Sequence, residues 1–329
     1  MIHQLNLMLK KRWYLLFIFG VVLGCQKESK TEKEIAKIPI SFQLDRFDRE
    51  FAQATVKNLP ELREKYPFLF PKKYADSVWV NKIEDSVQQE INREVHRKFP
   101  DFDEEKEELR DLFRHLTFYY PHFDPPRVIT MTSYVDYLHR VVLSDSLLFI
   151  SLDNFLGSDH KFYKGIPRYF SERLNASQII PDVAAKYARY YVPRPKKRSF
   201  LSYMVYYGKR LYFEEKMLPK TSAADLMGYT DKEIKWAQSN EKHIWSFFVE
   251  EDLLYKTDPD LRKRFFNIGP FTKFGLTLDN DSPSQLGRYI GWQIVKQFAD
   301  KHKDLSLQEL LQLNNKTLFE ESNYKPRSH

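Results

Sequence analysis

The chain has 329 residues, 42% of them hydrophobic and 16% aromatic, with one cysteine and 10 glycines. That much apolar material excludes intrinsic disorder, and glycine well under its usual share of roughly 7% argues against a turn-rich all-β fold. Net charge is +7, or +4 once Lys10, Lys11 and Arg12 are set aside, too weak a field over this length to call for nucleic acid as a partner.

Lys10-Lys11-Arg12 forms a basic start, followed by an apolar run from Trp13 to Leu23 broken only by Gly20. Such a run suits a signal-peptide core and falls short of the ~20 residues that a membrane span needs. Val22-Leu23-Gly24-Cys25 then resembles the lipobox of bacterial lipoproteins, with small Gly24 at the cleavage position and the Cys25 thiol as the lipid acceptor. Residues 1–24 are therefore expected to be a lipoprotein signal peptide, with translation starting at Met1 or Met8. Cys25 is expected to carry acyl chains such as palmitate, and Gln26 after it is compatible with sorting to the outer membrane. A lone cysteine also excludes a disulfide within the chain. Residues 25–37 are polar and charged and read as a lipidated flexible tether, leaving 38–329 as a single, mainly helical globular domain.

Ile40 to Asp45 alternates in polarity and predicts a strand. Ile83, Val87, Ile91, Val95 and Phe99 recur every four residues, predicting one amphipathic helix from Asp76 to Phe99, ended by Pro100. Leu109, Leu112, Phe113 and Leu116 mark a second helix, stopped before Pro121. The β-branched and aromatic segments from Arg127 to Val135 and from Leu147 to Phe155 predict strands. Further helices are expected over 171–192, 200–217, 231–255, 259–266, 283–301 and 307–313. Thr230 with Glu233, Ser282 with Gln285, and Ser306 with Glu309 fit capping boxes. Within the aromatic run 202–213, Gly208 leaves room for another backbone to approach closely. The expected class is α+β and predominantly α-helical, with a small antiparallel sheet against packed helices.

Motifs for chemistry are sparse. There is no GxGxxG, GxxxxGK[ST] or GxSxG, so no cofactor is expected. No histidine has a second one four residues on, and Pro121 breaks any helix between His115 and His122. Asp279-Asn280-Asp281 lacks the glycine and later glutamate of a calcium loop and reads as a turn. Arg194, Lys196, Lys197 and Arg198 form the densest basic cluster, read either as a proline-braced loop or as a patch for lipid headgroups, polysaccharide or an acidic partner.

The lipobox, Val205-Tyr-Tyr-Gly-Lys-Arg-Leu-Tyr212, Met217-Leu-Pro219 and Ser284-Gln-Leu-Gly-Arg-Tyr-Ile-Gly-Trp-Gln-Ile-Val295 together resemble the gliding-motility lipoprotein GldB family over nearly the whole mature chain. That resemblance implies a non-enzymatic, membrane-anchored envelope lipoprotein that supports gliding through contacts with the gliding and secretion machinery. It further implies a distant similarity to zinc-peptidase-like proteins of the HExxH type. The metal-binding helix of such a zincin-like scaffold would correspond to Pro181–Tyr190, with Lys186, Tyr187 and Tyr190 standing where His, Glu and His belong. An ammonium and two phenols make no ordinary zinc site at neutral pH. The alternative is a lipid-anchored hydrolase of cell-wall or surface polymer, which a deep pocket with convergent, pKa-shifted groups would favour.

Overall fold

A computed structural model describes residues 30–275 and 279–327. Cys25 and the signal segment lie outside the described residues. Two units are present, one ending at Lys37 and the other beginning at Ile38. The first carries helix α1 (Lys30–Ile35), within the stretch expected as a tether.

In the second unit the alternating segment pairs only at its end, as β1 (Leu44–Arg46). Two short helices follow, α2 (Phe47–Ala52) and α3 (Leu59–Lys65). The long helix expected from Asp76 to Phe99 is in fact two, α4 (Asp76–Glu84) and α5 (Ser86–Lys98). Asp85 breaks it with an extended ψ of 123°, and its carboxylate accepts the Val87 and Gln88 amides at 3.1 and 3.3 Å. A local side-chain acceptor thus outcompetes one turn of helix. The stripe breaks with it: Val87 is 50% exposed while Ile91 and Val95 are buried. Helix α6 (Asp103–Tyr119) matches expectation and buries Leu109, Leu112, Phe113 and Leu116 completely.

Strands β2 (Arg127–Met131), β3 (Val141–Leu143) and β4 (Leu147–Ser151) complete a four-stranded sheet of order β1-β2-β4-β3. The expectation of an antiparallel sheet is corrected here. Both β1–β2 and β2–β4 are parallel, and only the β3–β4 hairpin is antiparallel. The cause is β3, a strand too short to announce itself in sequence, which turns the chain back so that β4 runs alongside β2. Burial on both faces accompanies parallel pairing. Val128, Leu148 and Ile150 face the main core, whereas Ile129 joins a second cluster with Phe47, Phe51, Tyr66 and Phe70.

The turn into β3 is held from within. Asp153 is fully buried and accepts the amides of Ser133 (3.0 Å) and Val135 (2.6 Å). These bonds hold Tyr134 and Val135 at φ of 55° and 61°, a region a β-branched residue rarely enters. Burial pushes the Asp153 carboxyl up, and the Val135 and Ser133 amides pull it back.

The remainder is helical: α7 (Arg168–Ser171), α8 (Ile179–Tyr191), α9 (Phe200–Met217), α10 (Ala223–Met227), α11 (Asp231–Ser239), α12 (Glu241–Glu250), α13 (Pro259–Phe266), α14 (Leu286–Lys301), α15 (Leu307–Gln312) and α16 (Asn315–Ser322). Helix α8 starts later than position 171, and Asn240 divides the helix expected over 231–255. Thr230–Glu233 and Ser306–Glu309 form capping boxes. Ser282–Gln285 does not. Gln285 adopts φ 65°, outside the helix, and Ser282 donates instead to the carbonyls of Thr272 (3.1 Å) and Asp279 (2.8 Å).

Helix α9 is buried on most sides and crosses α14 at two glycines. A Cβ on Gly208 would fall on the Gly291 carbonyl, and one on Gly291 would fall on the carbonyl of Met204. The close approach expected at Gly208 is therefore found, with α14 as the partner.

Candidate functional site

Helix α8 buries Val183, Ala184, Tyr187 and Ala188, which leaves Asp182 and Lys186, one turn apart, together on another face. Beside them α9 presents Tyr207, Arg210 and Glu214, spaced three and four residues apart. Arg140 enters from just before β3, Arg173 from just after α7, and Gln285 and Arg288 from the start of α14.

These side chains wall a continuous set of hollows. A cavity of about 730 Å³ runs between β3 and the second half of α8, from Val141–Asp145 on one side to Lys186–Tyr191 on the other. A second, of about 520 Å³, shares Val141 and Lys186 with it and is lined by Arg140, Arg173, Asp182 and Arg288. Behind lies a chamber of about 60 Å³ that adds Arg210 and Glu214 to Arg173, Asp182 and Arg288. That is room for very few water molecules.

In the second cavity and the chamber Arg140, Arg173, Lys186, Arg210 and Arg288 thus meet Asp182, Glu214 and Asp225, and only Arg140 is matched. Arg140 grips Asp182 bidentately, Nε to Oδ2 at 2.5 Å and Nη2 to Oδ1 at 2.8 Å. Among the described residues no carboxylate oxygen lies within 4.0 Å of Arg173, Lys186, Arg210 or Arg288. The three arginines donate to backbone carbonyls, Arg173 to Met227 (3.1 Å), Arg210 to Ala185 (3.2 Å) and Arg288 to Phe266 (2.7 Å), and Arg173 also reaches the Gln285 side chain (3.4 Å). The Arg288 guanidinium lies 4.5 Å over the Tyr207 ring. The Nε atoms of Arg173 and Arg210 are buried without an acceptor. Glu214 is 5% exposed, and its carboxylate makes no hydrogen bond or ion pair with a described residue.

Burial dominates the electrostatics. It raises the Glu214 carboxyl to about 7 against the pull of Arg210, Arg288 and Arg173. It lowers the Lys186 ammonium, which Asp182 partly offsets, and brings Arg288 down to about 10. A positive excess inside low-dielectric walls draws anions, and guanidiniums favour planar carboxylate or phosphate groups.

Of the residues singled out from sequence, Lys186 lies in this cleft, on the wall common to both large cavities. Tyr187 and Tyr190 line the first of those cavities with it, but in different settings. Tyr187 is 5% exposed and packs on Phe123 with ring centroids 5.5 Å apart, while Tyr190 is 77% exposed. Arg194, Lys196, Lys197 and Arg198 are all exposed on the loop between α8 and α9 and line none of these cavities. Among the described residues no three His, Cys, Asp or Glu side chains gather as a metal site would need.

Sequence reading missed Arg140, Arg173, Asp182, Arg210, Glu214 and Arg288 as a group. One signal was there. Arg210, Glu214 and Arg288 are charges set among the aromatic and aliphatic residues of two largely buried helices, a placement that costs free energy unless it is used.

The lipoprotein family model described as gliding motility protein GldB matches residues 28–326 of this chain. No curated protein and no solved structure matches it. Nearly the whole chain is covered, including every element that builds the cleft, and the chain belongs to the GldB gliding motility protein family.

Proposed function

We propose that this protein is an envelope lipoprotein, anchored by acyl chains on Cys25, that supports gliding through contacts with the gliding and secretion machinery. The observation that carries the reading is the family match over residues 28–326, joined to the lipobox-like Val22-Leu23-Gly24-Cys25. No described helix is long and apolar enough to cross a membrane. Acyl chains are the proposed anchor, each buried CH₂ contributing about 0.8 kcal/mol, with two or more chains needed for stable residence. The exposed basic loop Arg194–Arg198 is a contact patch of this reading, facing acidic protein or headgroups. Deleting the gene is expected to stop colony spreading, and the wild-type gene to restore it. Cys25→Ser is expected to shift most of the protein out of the outer-membrane fraction and to fail in rescue. Spreading by the deletion strain would remove the motility role, and rescue by a membrane-bound Cys25→Ser would remove the anchor.

One observation favours a second reading, a hydrolase of cell-wall or surface polymer. Burial raises the Glu214 carboxyl to about 7 and lowers the Lys186 ammonium, and the two line adjoining hollows of one cleft, which puts pKa-shifted groups where a hydrolase would need them. Turnover of cell-wall fragments or surface polysaccharide by the wild type, lost in Glu214→Gln, is what this reading expects. Equal turnover by both chains, or none by either, rejects it.

A further inference from the structure

The cations of the second cavity keep bonding capacity that the protein does not use. A guanidinium carries five N–H donors. Arg173 spends its own on the Met227 carbonyl and the Gln285 side chain, at 3.1 and 3.4 Å, and its Nε is buried without an acceptor. The Gln285 amide cannot serve two arginines at once. Turned over, its oxygen leaves Arg173 and accepts from Nη1 and Nη2 of Arg288, at 3.2 and 3.1 Å. In either orientation one guanidinium goes short. Arg173 is nevertheless given its place: a Cβ on Gly228 would fall on the guanidinium, so glycine there makes the room. The Lys186 ammonium, on the same cavity wall, makes no hydrogen bond with a described residue.

Charge decides what would use this capacity. In the cavity and the chamber behind it, five cations stand against Asp182, Glu214 and Asp225, an excess of two with all three acids ionised. Asp225 is already satisfied by neutral donors, the Ser177 and Ser222 hydroxyls at 3.0 and 2.7 Å and the Gln178 amide at 3.2 Å. The first cavity is larger but has no such excess, because Asp124 and Asp145 offset Lys186 and Arg189 there. A carboxylate ligand brings a single negative charge. A phosphate monoester brings about 1.5 to 2 at neutral pH, with three acceptor oxygens to share among several donors. The phosphoryl group is the better match in charge and in bonds.

Room and polarity set the rest of the ligand. The cavity's 520 Å³ falls within the ~300–1,000 Å³ typical of small-molecule sites. Beside the cations it is lined by Tyr137 and Phe170, whose ring centroids lie 5.1 Å apart, and by Leu138, which is 64% exposed where the cavity meets solvent. Charged donors next to an apolar, aromatic wall suit an anionic group on an organic body.

We propose that the second cavity binds a small soluble phosphate monoester, its phosphoryl group among Arg173, Lys186 and Arg288 and its organic body against Tyr137 and Phe170. The inference goes beyond both functional readings, since neither cell movement nor turnover enters its test.

Isothermal titration of phenyl phosphate into the mature full-length chain, in neutral detergent at pH 7 and low salt, supplies that test. Saturable binding is expected, tighter than for inorganic phosphate, which keeps the charge and lacks the ring. Benzoate keeps the ring with a single charge and should bind about tenfold or more weakly, the scale of one lost charge-assisted bond. Lys186→Met should weaken phenyl phosphate by about the same factor, and Lys186→Arg should restore it. The same methionine change at exposed Lys303, far along the sequence in the turn after α14, should alter nothing. Phenyl phosphate that fails to saturate, that binds no better than benzoate or inorganic phosphate, or that binds Lys186→Met as it binds the wild type would overturn the proposal. Equal weakening by Lys303→Met would mark diffuse surface charge and overturn it as well. Binding confined to phosphatidic acid vesicles, with no phenyl phosphate taken up, would make a membrane the source of the phosphate and overturn the soluble ligand.

Discussion

Valine at Gly291 is expected to make the protein unfold at far lower urea than the wild type. Helices α9 and α14 carry much of the main core, with Met204, Val205, Ile290, Ile294 and Val295 all fully buried. They meet where Gly208 and Gly291 put no Cβ between the two backbones. At Gly291 the obstacle is the Met204 carbonyl, which is backbone within a buried helix and has no rotamer to escape into. Overpacking a core costs typically about 1–3 kcal/mol when side chains yield, and more when backbones must separate. Separating this pair also loosens the packing on either side of the crossing. Alanine is expected to cost about 2–3 kcal/mol and valine about 4 or more, a large part of the 5–15 kcal/mol that holds a typical fold together. Gly269→Ala is the control. Its Cβ would meet nothing nearer than the Phe271 carbonyl at 3.9 Å, so a change within about 0.5 kcal/mol is expected. Urea unfolding followed by circular dichroism separates the three, and a Gly291→Val protein that unfolds with the wild type would refute the crossing as described.

How much of this was legible beforehand depends on where the information resides. The α9 helix could be placed from its residues alone, because Ser199 caps its start, accepting the Ser202 amide, and Leu218-Pro219 closes its end. Gly208 was legible for a similar reason: a glycine in an apolar helix has few uses other than close approach. The direction of the strands was not. Arg127–Met131 and Leu147–Ser151 look the same in sequence whether they run parallel or antiparallel, and the answer lies in the three residues of β3. The break at Asp85 was hidden by a period-four stripe that runs straight through it. Gln285 misled most usefully. Its sequence position suits a capping box, but its backbone turns left-handed and its side chain joins the cleft wall. Local rules failed there because a site overrides them. The cleft itself draws on five separate segments, and no spacing rule links Arg140 to Arg173, Arg210 and Arg288.

Replacing Glu214 with glutamine is expected to stabilise the protein above neutral pH and to leave it unchanged near pH 4.5. Glu214 is almost wholly buried, and burial lifts its carboxyl from an ordinary 4.5 to about 7. Between those values the folded chain holds a proton that the unfolded chain has released, so folding stability falls as pH rises through the window. At about 1.4 kcal/mol per pH unit the full loss is of order 3 kcal/mol, reached above pH 7. The charges that face Glu214 set this balance: Arg210 on its own helix, Arg288 on α14, Arg173 after α7, and Asp182 on α8. The three guanidiniums favour the carboxylate and Asp182 opposes it, but desolvation outweighs them. Glutamine keeps the shape and removes the ionisation. Every other group acts equally in both proteins, so the difference between variant and wild type isolates Glu214. Urea unfolding of both at pH 5, 6, 7 and 8 should show that difference grow from near zero to about 2–3 kcal/mol. A flat difference would mean that the carboxylate finds enough compensation among the arginines to stay ionised throughout. The growing one would show a chain that keeps a destabilising acid at the back of its cleft, the trade that binding and catalytic sites make and that a purely structural core has no reason to make.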